Sequence, residues 1–294
     1  MAGLAPHEVL RFDGNTPPRP PGYATEATIA GALAEIQRYP HGGFPQLLDA
    51  IAEYAGVDPE RVVLGAGADD LLLLCGRAFA GPGDLVCVLD EPTYPVFRLA
   101  AWLAGADVGD DGAVLTYCCR PHNPTGALGP LPDVRPLVVD EAYFEFARDT
   151  AAGTPGVIAV RTFSKAFGLA AARIGYAVAD ADVARELVVR QDPLSITTLS
   201  AALALAALQA GPPDVSETLA ERERLAARLR ELGLEPLESH ANFVYVPMEA
   251  ANETYERLLR LGLVVRSFDD AIRITVHTAE ANDRLLDALE HADG

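Results

Sequence analysis

The chain has 294 residues, of which 50% are apolar and 22% are charged, and its formal net charge is −19. This composition is typical of a globular protein with a substantial core in one large domain or two. The acidic balance argues against nucleic acid or an anionic membrane as a partner, because both attract basic surfaces. No apolar run approaches the roughly 20 residues of a membrane helix and the N-terminus lacks a signal-peptide layout, so we expect a cytoplasmic protein.

The cysteines and histidines show no ligand pattern. The four cysteines are Cys75, Cys87, Cys118 and Cys119. None of them forms a CxxC pair, and we expect buried, reduced thiols. The six histidines lack the spacing of metal ligands, so no metal site is predicted.

The first 30 residues predict an extended N-terminal arm, because they are rich in proline and glycine. Arms of this kind cross to another domain or subunit. After the arm, strands alternate with helices, which is typical of an α/β fold with a mainly parallel sheet sandwiched by helices. Strands are predicted over 61–65, 85–89, 113–119, 137–140, 157–162 and 174–178, and helices over 29–37, 46–54, 71–80, 182–190 and 198–210, with one more ending near residue 102.

A second, smaller unit is predicted after the Gly-Pro-Pro run at 211–213, which is the best candidate for a domain joint. The domains are therefore predicted as a large one over 31–212 and a small α+β one over 213–294. The small domain is predicted to hold strands over 242–246, 263–266 and 271–276 and helices over 215–232, 252–261 and 280–291.

Lys165 is the only lysine among the 23 basic residues, and all the others are arginine. An arginine is protonated at any working pH and cannot form a Schiff base, whereas a lysine with a lowered pKa can. A chain that otherwise uses arginine throughout therefore indicates that position 165 needs a primary amine. The alternative is a surface lysine that survives by chance.

Polar residues follow several of the predicted strands. The Gly-Ala-Gly-Ala-Asp run at 65–69 joins a strand to a helix and is a candidate phosphate cradle, although such turns also occur for packing reasons. Asp140 ends a predicted strand, and Asn123, Tyr143 and Lys165 each follow the end of one. Because the carboxyl ends of parallel strands line one crevice, we expect these four side chains to converge. A helix N-cap is the alternative role for Asp140.

Together these stretches closely resemble the fold-type I pyridoxal-phosphate aminotransferases, most closely the histidinol-phosphate aminotransferase group. The resemblance runs through nearly the whole chain in the order of the family. The similar stretches are Arg38-Tyr-Pro40, Gly67-Ala-Asp69, Asn123-Pro-Thr-Gly126, Asp140-Glu-Ala-Tyr143, Thr162-Phe-Ser-Lys-Ala-Phe-Gly168, Arg173-Ile-Gly175, Asn242-Phe243, Val265-Arg266 and Arg273-Ile-Thr275.

The resemblance implies a transaminase that moves an amino group between an amino acid, or a histidinol-phosphate-like amino ester, and a 2-oxo acid. It implies pyridoxal 5'-phosphate held as an aldimine by Lys165, which then acts as the base. It also implies that Asp140 pairs with the pyridinium nitrogen. Asn123 and Tyr143 would hold the ring's 3′ oxygen, and Tyr94 would stack on the ring.

The same resemblance implies binding sites for the anionic groups. Arg273 would bind the substrate carboxylate through a bidentate pair, Arg266 a substrate phosphate, and Asn15 would lie beside the substrate. The alternative for either arginine is a surface carboxylate partner. Tyr39 would reach the cofactor phosphate of the neighbouring subunit, which implies a homodimer. Within the subunit, the implied ligands of the cofactor phosphate are the N–H groups of Ala68 and Asp69, the hydroxyls of Ser164 and Thr162, and Arg173. Gly67 is implied to bind the cofactor as well.

The chain departs from the family pattern in two ways. Between Ala106 and Val114, and again between Gly126 and Leu137, it is too short for the crossovers of relatives, because parallel neighbours need about a dozen residues. One crossover helix is therefore predicted to be missing, leaving the sheet partly uncovered or covered by a dimer partner. His277 stands where relatives usually have glycine, and 15–18 replaces an Asn-Glu-Asn-Pro-like arm, so the identity of the substrate stays open.

Two alternatives to transamination remain at this stage. The same cofactor could serve a decarboxylase of the phosphothreonine type or a C–S lyase. The shortened crossovers also leave room for a catalytically silent protein that binds pyridoxal phosphate.

Overall fold

A seven-stranded sheet forms the centre of the computed structural model, which describes residues 5, 8–40 and 42–290. The start of the predicted arm, His41 in the predicted turn and the last residue of the predicted final helix lie outside the described residues. The strands are β1 (Leu10–Arg11), β2 (Val62–Gly65), β3 (Leu85–Val88), β4 (Asp107–Val108), β5 (Leu115–Cys119), β6 (Leu137–Asp140), β7 (Val157–Thr162), β8 (Gly175–Val178), β9 (Phe243–Pro247), β10 (Leu263–Val264), β11 (Arg266–Phe268) and β12 (Ala271–Thr275).

The large sheet has the strand order β2-β8-β7-β6-β5-β3-β4. Its neighbouring strands are parallel except at β8, which runs antiparallel to both β2 and β7. Every residue of β5, β6, β7 and β8 is buried. Near-continuous apolar strands of this kind belong in a sheet whose two faces are both covered. The carboxyl ends of β5, β6 and β7 therefore meet at one edge.

Helices cover the sheet, and most of them begin within three residues of their predicted starts. The helix α3 begins at residue 68 rather than 71, because Gly67 takes a positive φ of 96° and leads directly into the first turn. The helices are α1 (Glu26–Ala34), α2 (Pro45–Ala55), α3 (Ala68–Phe79), α4 (Val96–Ala104), α5 (Phe144–Ala147), α6 (Ala181–Arg190), α7 (Thr198–Gln209), α8 (Ser216–Glu231), α9 (Ala251–Arg260) and α10 (Ala279–Glu290).

The two shortened crossovers contain no α-helix: residues 109–114 connect β4 to β5, and residues 120–136 connect β5 to β6 without one. The sequence predicted one missing helix, and the structure lacks a helix in both places. Beside the second crossover, a small apolar cluster includes Cys118 and Val139, with Leu131 of the connection packed against it. The irregular segment thus covers part of the face that a crossover helix would cover.

A second core forms around the antiparallel sheet β11-β12-β9 and contains residues of α8, α9 and α10. The arm joins this core rather than running free. Its strand β1 pairs in parallel with β10, and Phe12 is fully buried in the second core. Asp13 to Asn15 follow Phe12 directly, so this pairing places them at the edge of the large sheet. The domain boundaries at residues 30 and 212 stay predictions.

Candidate active site

A cleft of about 380 Å³ lies between the carboxyl edge of the large sheet, the arm and the β11–β12 strands. It brings together residues that the sequence separates by more than 250 positions. Gly67 lies behind its wall, where it contacts Arg173. The predicted site residues that line the cleft are Asn15, Ala68, Asp69, Tyr94, Asn123, Asp140, Tyr143, Thr162, Ser164, Lys165, Arg173, Arg266 and Arg273.

Lys165 lies three residues beyond the end of β7 and projects into this cleft. Its Nζ donates to the carbonyl oxygen of Gly14 at 3.0 Å and lies 5.9 Å from the ring centroid of Tyr143. Burial lowers the pKa of the amine to about 8, and the charge of Arg273 acts in the same direction against the opposing charge of Asp140. A larger share of the amine is therefore neutral near neutral pH, which a nucleophile or a base requires.

Asp140 ends β6 and is only 4% exposed. The backbone N–H of Ala142 donates to its Oδ1 at 3.0 Å, and no Lys or Arg forms a salt bridge with it among the described residues. Burial raises the pKa of this carboxyl to about 7. A buried carboxylate without a cation is costly unless a ligand supplies one. The environment of Asp140 therefore fits a protonated ring nitrogen.

Two further polar side chains border the same space. The hydroxyl of Tyr143 accepts from Asn15 Nδ2 at 2.8 Å. The side-chain oxygen of Asn123 accepts from Arg273 Nη1 at 2.5 Å, which leaves its amide nitrogen free to donate elsewhere. Both residues thus offer donors that a ring oxygen in the cleft could accept. Tyr94 stands nearby, and its hydroxyl donates to Asp69 at 2.8 Å.

An anion cradle lies at the N-terminus of α3, which has no side-chain cap. A Cβ added at Gly67 would lie 2.6 Å from Arg173 Nη2, so the missing side chain makes room for that guanidinium. Arg173 Nη1 in turn lies 3.4 Å from Ser164 Oγ, to which Thr162 Oγ1 donates at 2.9 Å. Free N–H groups at a helix start, hydroxyls and an arginine together fit a phosphate group.

A pair of arginines forms the opposite wall. Arg266 on β11 and Arg273 on β12 are direct cross-strand partners, and both line the cleft. Like charges placed opposite each other in a sheet are destabilising. Arg273 Nη2 donates to the carbonyl of Asp13 at 2.9 Å, while its buried Nε has no hydrogen-bond partner among the described residues. This arrangement is suited to an anion bound between the two side chains.

Tyr39 lies outside the cleft of its own chain. It is 72% exposed and lines a separate groove of about 520 Å³ formed by residues of α2 and α7 and the segment after α1. The structure describes a single subunit, so the prediction that Tyr39 reaches a neighbouring subunit stays a prediction.

Several residues that shape the cleft had no predicted role. The arm supplies the carbonyls of Asp13 and Gly14, and β11 supplies Phe268. Thr275 and Asn242 lie in stretches that resemble the family, but no role was predicted for either residue. Since β12 places Arg273 and Thr275 on the same face, the period of two along the strand could have singled out Thr275.

Sequence and structure comparisons identify relatives over almost the whole chain. The family model for aminotransferase class I and II matches residues 8–110 and 107–289. The chain is 34% identical to a histidinol-phosphate aminotransferase of Staphylococcus haemolyticus, over 93% of this chain and 88% of the relative. It is 33% identical to one of Symbiobacterium thermophilum, over 99% of this chain and 92% of the relative.

Among solved structures, the histidinol-phosphate aminotransferase of Sinorhizobium meliloti in complex with pyridoxal-5'-phosphate is 27% identical. It superposes with a TM-score of 0.86, and the match covers 99% of this chain and 94% of that one.

The chain therefore belongs to the class I and II aminotransferase family. This confirms the predicted family, the predicted α/β fold, the transaminase activity with amino and oxo acids as substrates, and pyridoxal phosphate as the cofactor. In the described part of the chain, no helix combines the length and apolar character that crossing a membrane requires.

Proposed function

We propose that this aminotransferase transfers an amino group between a phosphorylated amino compound resembling histidinol phosphate and a 2-oxo acid. The observation that carries the proposal is the cross-strand pair of Arg266 and Arg273 facing into the cleft of Lys165. A single carboxylate needs one guanidinium for a bidentate pair. Two guanidinium groups opposite each other suit a substrate set that presents a phosphate in one half-reaction and carboxylates in the other.

Bound in the cleft, pyridoxal phosphate supplies an electron sink for the pair left behind when a proton leaves the substrate carbon that bears the amino group. The neutral amine of Lys165 would act as the base that takes this proton from the substrate carbon and gives it back later in the transfer. Asp140 holds the proton on the ring nitrogen. The anion cradle of Gly67, Ala68, Asp69, Thr162, Ser164 and Arg173 would hold the cofactor phosphate. Asn123 and Tyr143 would donate to the ring oxygen, and Tyr94 would cover the ring.

We assign Arg273 to the carboxylate of an amino or oxo acid. Its Nη1 and Nη2 are already fixed by Asn123 and Asp13, and its Nε has no partner in the part of the chain that the structure describes. Arg266 is more exposed and has no ion pair among the described residues, so we assign it to the phosphate of the ester. Asn15 closes the same side of the cleft.

The test is a titration of the cofactor-loaded protein with amino donors, followed by the visible absorption of the cofactor. We expect histidinol phosphate and glutamate to convert the cofactor to its amino form, and histidinol without its phosphate to do so only at far higher concentration. Arg266→Gln should raise KM for the phosphorylated donor about tenfold or more, because a charge-assisted contact is lost. Arg260→Gln, at an exposed position of α9, is the matched control.

Two results would contradict the proposal. One is equal KM values for histidinol and histidinol phosphate. The other is release of carbon dioxide, or of ammonia with an oxo acid, without any amino form of the cofactor, which would favour a decarboxylase or a lyase.

We further propose a cytoplasmic homodimer in which Tyr39 of each subunit enters the partner's cleft. The support is that Tyr39 is an exposed aromatic residue at the rim of an apolar groove of its own chain. A sedimentation experiment tests the dimer, and Tyr39→Phe tests the hydroxyl, whose loss should weaken the affinity of the apoprotein for pyridoxal phosphate. A monomer at working concentration would contradict both.

A further inference from the structure

Asn15 connects the arm, the second core and the cleft, although it is only 2% exposed and has a positive φ of 51°. Its Nδ2 donates to Tyr143 Oη at 2.8 Å. Its Oδ1 accepts from the hydroxyl of Thr275 at 2.8 Å, and its backbone N–H donates to the same hydroxyl at 3.0 Å. Its carbonyl accepts from Asn242 Nδ2 at 3.1 Å. Asparagine tolerates the left-handed backbone that brings these groups together.

The hydrogen bonds fix which way the amide of Asn15 points. The Thr275 hydroxyl is fully buried and already accepts from the Asn15 N–H, so its own proton needs an acceptor. Among the described residues that acceptor is Asn15 Oδ1. Turning the amide over would bring its NH₂ group against the hydroxyl and leave the proton of Thr275 without a partner, which is costly at a buried site. The NH₂ group must therefore face Tyr143.

The phenol of Tyr143 is consequently an acceptor toward Asn15 and keeps its own proton for another group. No protein acceptor for that proton is found within the described part of the chain, and Tyr143 lines the cleft. We propose that Asn15, held by Thr275, is a positioning residue that turns the Tyr143 proton into the cleft toward the oxygen of the cofactor ring. This inference rests on the proposed function, which places that oxygen beside Tyr143.

The arm is anchored well enough for such a task. The backbone N–H of Thr275 donates to the carbonyl of Phe12 at 2.7 Å, so the arm runs along β12. The next carbonyl, that of Asp13, accepts from Arg273 Nη2 at 2.9 Å. These hydrogen bonds fix the position of Asn15. Its amide therefore keeps its orientation, and the phenol of Tyr143 must orient itself toward the amide.

The experiment is a pH titration of the visible absorption band of the cofactor-loaded protein, which reports the protonation of the bound cofactor without measuring turnover. A hydrogen bond donated by Tyr143 to the ring oxygen favours the oxyanion form. It therefore lowers the pKa of the bound cofactor that is read from the band. Thr275→Val removes the hydroxyl but keeps the shape, so we expect this pKa to rise by about one unit. Thr275→Ser keeps the hydroxyl and should leave the pKa at the parent value.

The background variant Tyr143→Phe shows whether the effect passes through the phenol. It should raise the pKa by itself, and adding Thr275→Val to it should cause no further rise. If Thr275→Val does not fold, Asn15→Gly serves instead, because glycine also adopts the backbone of Asn15.

Two outcomes would overturn the inference in different ways. A band shifted by Tyr143→Phe but unchanged in both Thr275→Val and Asn15→Gly refutes the role of Asn15 and leaves the proposed function standing. A protein without a visible band, or a band that Tyr143→Phe does not shift, refutes the placement of the cofactor ring beside Tyr143, and the inference fails with it.

Discussion

Two neighbouring carboxylates, Asp140 and Glu141, end the same stretch of chain in opposite environments. Glu141 lies behind the cleft with every oxygen bonded. It accepts from Arg161 Nε at 2.9 Å, from the hydroxyl of Thr150 at 2.8 Å and from the N–H of Ala151 at 2.5 Å. Asp140 faces the cleft with one backbone donor at 3.0 Å, and burial raises its pKa to about 7.

The difference separates a group that holds the fold from one that awaits a ligand. The partners of Glu141 come from the protein, since the side chain of Arg161 is 2% exposed and its guanidinium also lies 3.6 Å from the ring centroid of Phe144. Asp140 has no such partner among the described residues, and in the proposed function the ring nitrogen of the cofactor supplies the cation. Successive side chains at a strand end point to opposite faces of the sheet, so Asp140 faces the cleft and Glu141 points away from it. The following predictions test this separation.

The largest effect is expected at the cleft amine. Lys165→Ala should abolish the visible band of the loaded protein and lower turnover by about 10⁴-fold or more, since both the attachment point and the base are lost. Because burial lowers the pKa of the amine from 10.5 to about 8, holding it charged at pH 7 costs stability, so the variant should raise the free energy of unfolding of the apoprotein by at most about 3 kcal/mol. Parallel absorption and urea measurements check this. A retained visible band would contradict the assignment of Lys165.

Behind the cleft, Arg161→Met should mainly lower the stability of the protein, whereas Lys165→Ala mainly removes its activity. It leaves Glu141 charged, buried and without its cation, which costs about 3–5 kcal/mol in the free energy of unfolding of the apoprotein, measured by urea denaturation. Adding Glu141→Gln should recover part of this loss, because glutamine removes the charge but still accepts from Ala151 and Thr150. No recovery in the double variant would mean that Arg161 acts by packing rather than by charge.

Asp140→Asn should weaken catalysis and strengthen the apoprotein. The pKa of Asp140 is about 7 in the fold and about 3.8 in the unfolded chain, so the folded state binds more protons between these values and loses stability as pH rises. The variant lacks this loss. Its advantage in the free energy of unfolding should grow from pH 4 to pH 7 and reach at most about 4 kcal/mol, at about 1.4 kcal/mol for each pKa unit.

The cofactor provides the control for the Asp140→Asn variant. In the proposed function, loading with pyridoxal phosphate would place a cation beside Asp140 in the parent protein, so the advantage of the variant should vanish in urea titrations of the loaded protein. An apoprotein stability that does not depend on residue 140 at pH 7 would contradict the picture of an uncompensated carboxylate.

Much of the fold could be predicted because its signals are local. Short apolar runs and the polar residues after them placed β2, β3 and β5 to β8 and brought Asn123, Asp140 and Lys165 to one edge, whereas the two-residue strand β4 was not predicted. The antiparallel direction of β8 has no such signal, since direction depends on the path of the connection. The two missing crossover helices were visible only as short spacings, and spacing alone could not tell whether one helix or both were absent.

The cleft was predicted less completely for a physical reason. Residue type and strand position indicated Lys165 and Asp140, whose chemistry is their own. Asn15 and Thr275 act through hydrogen bonds between positions 260 residues apart, which no local pattern records. Arg161 likewise had no predicted role, although it neutralises the buried Glu141.

The smallest effect should come from Glu145, a third carboxylate that lies on α5 outside the lining of the cleft. Burial raises its pKa to about 7, and its hydrogen bond from Tyr54 is long, at 3.4 Å. Glu145→Gln should therefore stabilise the apoprotein increasingly as pH rises from 4.5 to 7, by at most about 3 kcal/mol. Unlike the advantage of Asp140→Asn, this one should persist in the cofactor-loaded protein, because the ring's cation pairs with Asp140 and not with Glu145. Urea titrations at pH 5 and pH 8, each with and without pyridoxal phosphate, separate the two carboxylates. An advantage of Glu145→Gln that vanishes on loading would show that the cofactor's charge reaches behind the cleft and that the separation between the two sides fails.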